Sequence, residues 1–362
     1  MPYPGWPAGG KNGNRRFHFP TFQFSTFLQP AEPEMVPSIK MSQIELPRAK
    51  GKKRALLVEG GGMKGAFSGG ALHALHTFRS SEQYDLILAV SSGACSAAYY
   101  ATTATNDSEQ LEKNIRIWRE DLTGWKMISP LNPLIGRSFL DQGYLIDYLF
   151  GHKYPINRQW LENKRSTPFY IAVTSMERHR VEFVRATPDN LTDLLKAATS
   201  LPVATWGQHP MNGEQYSDAA IMNPLPVEDL INAGYKDITV VLNSPLKNLS
   251  PPVPRWLAAL AFPGHVMGEL MHKNHHVGYN RGRELLSNPP AGVKFHIAAP
   301  EVGLAVGLTG TSPKDLNAAV DQGYLIGLEE FQVFKKNHRP TRKRRSVRAG
   351  RSQSRNRTAA HS

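Results

Sequence analysis

The chain has 362 residues, 40% of them hydrophobic and 20% charged, enough apolar material for one large domain or two ordinary ones. Its net charge of +13 is unevenly spread: from Lys335 onward there are eleven Lys and Arg and no acid, whereas residues 51–334 carry a net −1. This excludes a strongly basic binding face on the body, and the single cysteine, Cys95, excludes an internal disulfide.

In chain order, residues 1–50 are rich in Pro, Gly and isolated aromatics without a period and read as an irregular arm. Arg54–Glu59 reads as a short buried strand, and Gly65–Arg79 carries apolar residues at helical spacing. Asp85–Val90 reads as a second buried strand and Ala94–Ala104 as a helix of small residues. Leu86–Asn106 is uncharged, but its Ser, Thr, Gly and Ala content fits a buried strand, turn and helix better than a membrane span. An amphipathic helix follows at Asp107–Glu120, strands at Phe169–Thr174 and Val181–Arg185, and a helix at Asp189–Thr199. Strands are expected at Asp237–Asn243 and Val293–Ala298. A last helix runs to about Phe334, with Ser312 as N-cap and Pro313 in its first turn. Strands alternating with helices predict an α/β fold with a mainly parallel sheet. The hexapeptide DQGYLI occurs at Asp141 and again at Asp321, too isolated to define a repeat architecture.

Two segments carry chemistry. The first is Gly60-Gly61-Gly62-Met63-Lys64-Gly65, at the end of the first strand. It fits the G-x-G-x-x-G dinucleotide frame, but the next strand ends in Ser91 rather than in the acid that would hold a ribose. A plain tight turn needs only one or two glycines. Three in a row before a helix leave backbone N–H groups free to face one anion, as an oxyanion hole requires. Lys64 is a candidate contact for a bound anion, or else a solvated loop lysine. The second segment, Ala89-Val90-Ser91-Ser92-Gly93, is the G-x-S-x-G frame with alanine in its first position. Small residues two before and two after Ser91 suit a strained turn that exposes a nucleophile. The competing reading is a serine that merely caps the next helix.

A third segment, Glu214-Gln215-Tyr216-Ser217-Asp218-Ala219-Ala220, precedes Asn223-Pro224 and follows Lys196-Ala197-Ala198-Thr199-Ser200-Leu201-Pro202. With these in place, residues 54–245 resemble the patatin-like phospholipases, especially their bacterial branch. All four motifs of that family stand in order: the glycine loop, the serine elbow, the small-residue helix end and an Asp followed by a small residue. The resemblance implies a three-layer α/β/α fold and a Ser91–Asp218 dyad that needs no histidine. It also implies an oxyanion hole from the loop Gly60, Gly61, Gly62 and Met63, and an elbow shaped by Ala89 and Gly93. The implied activity is that of a serine lipid acyl hydrolase of phospholipase A, lysophospholipase or esterase type, acting through an acyl-enzyme without metal or organic cofactor. Ala89 and Ala219 depart from the family's glycines. Ala219 would matter if that position required positive φ. The alternative is a weak or inactive member acting at membranes or nucleic acid through its basic tail.

The expected organisation is an arm at 1–50, a catalytic region at 51–245, a helical and strand extension at 246–334 packed on it, and a disordered basic tail at 335–362. The tail suits anionic lipid headgroups, while nucleic acid is the less favoured partner. The N-terminus shows no basic-then-apolar leader, so a cytoplasmic location, peripheral at the membrane, is expected. His272, His275 and His276, in a helix expected from Trp256, have i,i+3 and i,i+4 spacing, which suits zinc, but no third ligand is placed. An ordinary exposed helical face is the simpler expectation.

Overall fold

Eight strands build one sheet in the computed structural model, which describes residues 45–336. They are β1 (Arg54–Val58), β2 (Leu86–Val90), β3 (Phe169–Ser175), β4 (Arg180–Arg185), β5 (His209–Met211), β6 (Glu214–Asp218), β7 (Asp237–Val241) and β8 (Lys294–Ala298). The order along the sheet is β5-β6-β3-β2-β1-β7-β8, with β4 also paired to β3. β8, β7, β1, β2 and β3 are mutually parallel, and β4, β5 and β6 are antiparallel to their partners.

The helices are α1 (Gly65–His76), α2 (Ser92–Ala101), α3 (Glu109–Arg116), α4 (Leu191–Ala198), α5 (Val227–Asn232), α6 (Arg255–Ala261), α7 (Val266–Ser287), α8 (Pro313–Phe331) and the single turn α9 (Val333–Lys336). Alternation along the strands splits the core in two. Leu56, Val58, Ile87, Ala89, Ile171 and Val173 pack on one face with residues of α1, α2, α4 and α8. Ala55, Leu57, Leu86, Leu88, Val90 and Ala172 pack on the other with residues of α5 and α7. The fold is therefore a three-layer α/β/α sandwich around a mainly parallel sheet, as the sequence suggests.

Most expected elements appear within a few residues of their sequence-derived bounds. The Ser312 hydroxyl accepts the Asp315 N–H at 3.4 Å and caps α8 as expected. The amphipathic segment from Asp107 forms α3 and then a π-helical turn at Ile117–Asp121. Elements without a strong period in the sequence are β5, β6, α5 and a π-helical stretch at Gly143–Lys153, and the single helix expected from Trp256 is two, α6 and α7, parted at Pro263-Gly264. The two DQGYLI copies sit in unlike settings. Asp141 ion-pairs with Arg137 and accepts the Tyr144 N–H, whereas Asp321 lies in α8 and pairs with Arg119. The N-terminal arm before residue 45 and the tail beyond Lys336 lie outside the described residues.

Candidate active site

The register of β3 brings two strand ends together. β4 lies along β3 from Tyr170 to Ser175, so β2 and β6 must share the opposite edge. β2 occupies that edge up to Val90, opposite Ala172, and β6 ends at Asp218, opposite the next residue, Val173. The carboxyl ends of β2 and β6 thus meet head to head, and Ser91 and Asp218 become neighbours although 127 positions separate them.

Ser91 occupies the turn between β2 and α2 with φ 53° and ψ −136°, a backbone conformation that non-glycine residues rarely adopt. Its side chain makes no capping hydrogen bond to α2, so the helix-cap reading is not what the geometry shows. Tight packing explains why the strain is held. A Cβ on Gly93 would lie 2.4 Å from the Glu59 carbonyl oxygen, and one on Gly60 would lie 2.6 Å from the Ser91 Cβ. Ala89, where the family pattern has glycine, is a fully buried residue of β2.

Asp218 is fully buried at the end of β6. Its Oδ1 accepts the Ala220 N–H at 2.8 Å, and its Oδ2 has no partner among the described residues. Burial raises its pKa to about 7, opposed by the nearby Ser91 hydroxyl and the Ala220 N–H. The Ser91 hydroxyl is close enough to stabilise the carboxylate, yet no hydrogen bond of ordinary geometry joins the two. Ala219 begins a short 3-10 turn, Ala219–Ile221, and its φ is not positive, so the missing glycine imposes no backbone strain there.

The glycine loop faces the elbow. Gly61 and Gly62 take φ 143° and 57°, and their amides have no acceptor among the described residues. The Met63 N–H is engaged: it donates to the Leu308 carbonyl at 2.9 Å, and a Cβ on Gly62 would lie 2.4 Å from that same oxygen. Lys64 is half-buried, and its charge helps to lower the pKa of Glu59 against the upward push of burial.

Beneath the loop is a charge network that sequence reasoning missed. Glu59, buried at the end of β1, forms an ion pair with the buried Arg283 of α7 and accepts the Asn243 N–H at 2.6 Å. The Asn243 side chain donates back to the carbonyls of Glu59 and Gly60 at 2.7 and 3.1 Å. A charged residue closing an apolar strand was the available signal, because a buried carboxylate needs a partner.

Gly62, Met63, Ser91, Leu140, Leu201 and Leu308 are among the residues lining a narrow apolar cavity of about 40 Å³. Cys95 also lines it, with its thiol pushed up to about 12 by burial and by the charge of Asp218, which leaves it a poor nucleophile. Among the described residues no histidine lines it. His73 packs on Tyr324, His76 meets Tyr100 edge-on, and His209 contacts Asp193 at 3.1 Å. His272 and His275 turn their Nδ1 atoms to two different carbonyls, Val253 and Ala220, each at 2.6 Å. Among the described residues no group of three metal-ligating side chains converges.

Comparison with known proteins bears on the same region. A family model described as patatin-like phospholipase matches residues 56–231, and a domain of unknown function, DUF6363, matches residues 269–338. The uncharacterized protein YjjU of Escherichia coli (strain K12) is 21% identical over 281 residues, covering 75% of this chain and 74% of that protein. VipD from Legionella pneumophila, a crystal structure, aligns over 81% of this chain and 70% of its own at 13% identity, with a TM-score of 0.41.

Proposed function

Residues 56–231 of this chain belong to the patatin-like phospholipase family, a family of lipid acyl hydrolases, and on that premise we propose that the protein is a serine hydrolase of lipid carboxylic esters working through Ser91 and Asp218. The observation that carries the reading is three parts gathered around Ser91, which with Gly62 and Met63 lines an apolar cavity. These are the serine itself on a strained turn, a buried carboxylate with a pKa of about 7, and a glycine loop whose Gly61 and Gly62 amides are unpaired among the described residues.

In this reading the Asp218 carboxylate takes the Ser91 proton as Oγ attacks the ester carbonyl. The oxyanion is held by the amides of Gly61 and Gly62, joined by Met63 when Leu308 withdraws. Collapse expels the alcohol or lysolipid, which takes the proton from Asp218. Water then attacks the acyl-enzyme, Asp218 accepts its proton, the fatty acid leaves, and Ser91 is reprotonated. An aspartate with an ordinary pKa would be too weak a base for this. Burial brings Asp218 near the range that general-base catalysis favours.

A lipid substrate is supported by the loops that contribute Met127, Leu140, Leu201 and Leu308 to the cavity lining. On these loops Trp125, Leu134 and Trp206 are 66%, 80% and 73% exposed, with Leu131, Ile135 and Val203 exposed near them in sequence and Leu308 exposed on a third loop. Their loops are tied together around the cavity: Leu140 N–H donates to Ala204 O at 2.7 Å, and Gly124 N–H to Thr311 O at 2.9 Å. Residues 123–140 carry Lys126 and Arg137 and no acid, residues 201–208 carry no charge, and residues 300–312 carry only Glu301. Exposed indoles with flanking cations suit an anionic lipid surface. No helix of the described residues is long and apolar enough to cross a membrane, so this contact is peripheral in the reading.

The test is labelling with a fluorophosphonate followed by a lipid-panel hydrolysis assay. Modification of Ser91 with release of fatty acid is expected. Absence of labelling in folded protein overturns the reading. Trp125→Ser combined with Trp206→Ser should reduce co-sedimentation with phosphatidylglycerol vesicles while leaving turnover of a soluble p-nitrophenyl ester unchanged.

A further inference from the structure

Helix α7, which lies outside the region matched by the phospholipase family and mostly within the one of unknown function, reaches the Asp218 turn. Positions 275, 278, 279, 282 and 283 are spaced i, i+3, i+4, i+7 and i+8 and so share one face of the helix. Two of these residues are glycines that let the helix approach closely. A Cβ on Gly278 would lie 2.9 Å from Asn223 Oδ1, and one on Gly282 would lie 2.7 Å from the Leu225 carbonyl. The helix is thereby pressed against the segment that follows Asp218.

This approach sets His275 Nδ1 2.6 Å from the Ala220 carbonyl. A carbonyl only accepts, so Nδ1 carries the hydrogen. Ala220 in turn gives its N–H to Asp218 Oδ1 at 2.8 Å. Apart from that bond Asp218 has little to orient it, since Oδ2 is unpartnered and the Ser91 hydroxyl is not in ordinary hydrogen-bond geometry. The direction in which the carboxylate points is therefore set by the Ala219–Ile221 turn, and His275 pins that turn from outside.

We propose that His275 is a positioning residue for Asp218: by holding the Ala220 carbonyl it fixes the Ala219–Ile221 turn, whose preceding peptide presents the Ala220 N–H to the carboxylate, so that the carboxylate faces Ser91. The proposal rests on the dyad reading above. His275 does not touch the cavity and takes no proton in the reaction. Burial lowers its pKa, so it stays neutral in the working range and donates without adding a charge beside the acid.

The experiment compares wild type, His275→Ala and His275→Asn on a soluble p-nitrophenyl ester and in fluorophosphonate labelling rate, with thermal melts alongside. Asparagine places an N–H donor where Nδ1 stood. His275→Ala is expected to lower kcat and the labelling rate about 10- to 100-fold with KM unchanged, the scale expected for misplacing a catalytic group. His275→Asn should recover most of that loss. Wild-type kcat in folded His275→Ala overturns the proposal while leaving the dyad reading intact. Equal losses in both variants, matched by equal falls in Tm, also overturn it, because they reveal packing alone. A wild-type protein that neither labels nor hydrolyses any ester overturns the dyad reading, and this proposal with it.

Discussion

Asp237 and Asp218 are both strand-terminal aspartates of the same sheet, and they are treated in opposite ways. Asp237 opens β7 and is met by Arg54 at 3.0 Å, His296 at 3.2 Å and Arg79 at 3.8 Å. Desolvation pushes its pKa up, but these partners outweigh it and hold the carboxylate at about 2. Asp218 closes β6 with no cation beside it among the described residues, and burial lifts it to about 7. The first acid is ion-paired and contributes stability. The second is left wanting a proton, which is a cost to the fold and the quality a general base needs.

The largest expected effects break the Asp218 side of this contrast. Ser91→Ala should lower kcat by about 10⁴–10⁶, on the scale of other serine nucleophiles, with the fold intact. Asp218→Asn should be nearly as damaging to turnover, because an amide cannot take the serine proton. Substituting His73, His76 or His209 should leave most of the activity, and a folded but dead histidine variant would replace the dyad by a triad. Rates of p-nitrophenyl ester hydrolysis with circular dichroism decide both points.

The pH dependence sharpens the contrast at intermediate scale. Only ionised Asp218 can act as base, so kcat/KM should rise with pH, fall about tenfold per unit below pH 7 and level off above it. Stability moves the other way. The folded state holds the Asp218 proton more tightly than the unfolded one, so this group lowers stability as pH rises from about 4 to about 7. Asp218→Asn should remove that slope in melts recorded across the window.

The smallest effect belongs to Asp237. Its depressed pKa gives stability that is present above about pH 4 and lost as pH falls towards about 2. Asp237→Asn should cost about 2 kcal/mol at neutral pH in urea titrations and leave ester turnover unchanged. A large loss of turnover in this variant would mean that the two ends of the sheet are coupled.

The parallel half of the molecule was legible because β1, β2, β3 and β7 are short, mostly apolar runs. β8, Lys294-Phe295-His296-Ile297-Ala298, is more polar and was legible from the alternation of its apolar residues. β6 was not legible as a strand, since Glu214-Gln215-Tyr216-Ser217-Asp218 has neither an apolar run nor clear alternation. Its pairing with β3 supplies what local sequence lacks. Ser91 and Asp218 could be singled out by motif, but not the head-to-head meeting of β2 and β6 that makes them neighbours. Glu59, Arg283 and His275 act across 55 to 224 positions of sequence, a distance over which spacing carries no signal. The face His275-Gly278-Tyr279-Gly282-Arg283 is periodic, yet the partner of His275 is a backbone carbonyl, and side-chain pattern is blind to that.

The Leu308 carbonyl on the Met63 N–H gives the proposed oxyanion hole an internal competitor. A substrate's neutral carbonyl that displaces it exchanges one neutral hydrogen bond for another, with little net gain. Once negative charge develops on that oxygen, its bond to the same N–H becomes roughly twice as strong. The exchange then favours the reacting state over the merely bound one. A donor held by its own chain in the resting state is also kept aligned and dry. In the proposed mechanism Leu308 would thereby act as a selectivity filter in energy rather than in shape, returning nothing to a ligand that binds without reacting.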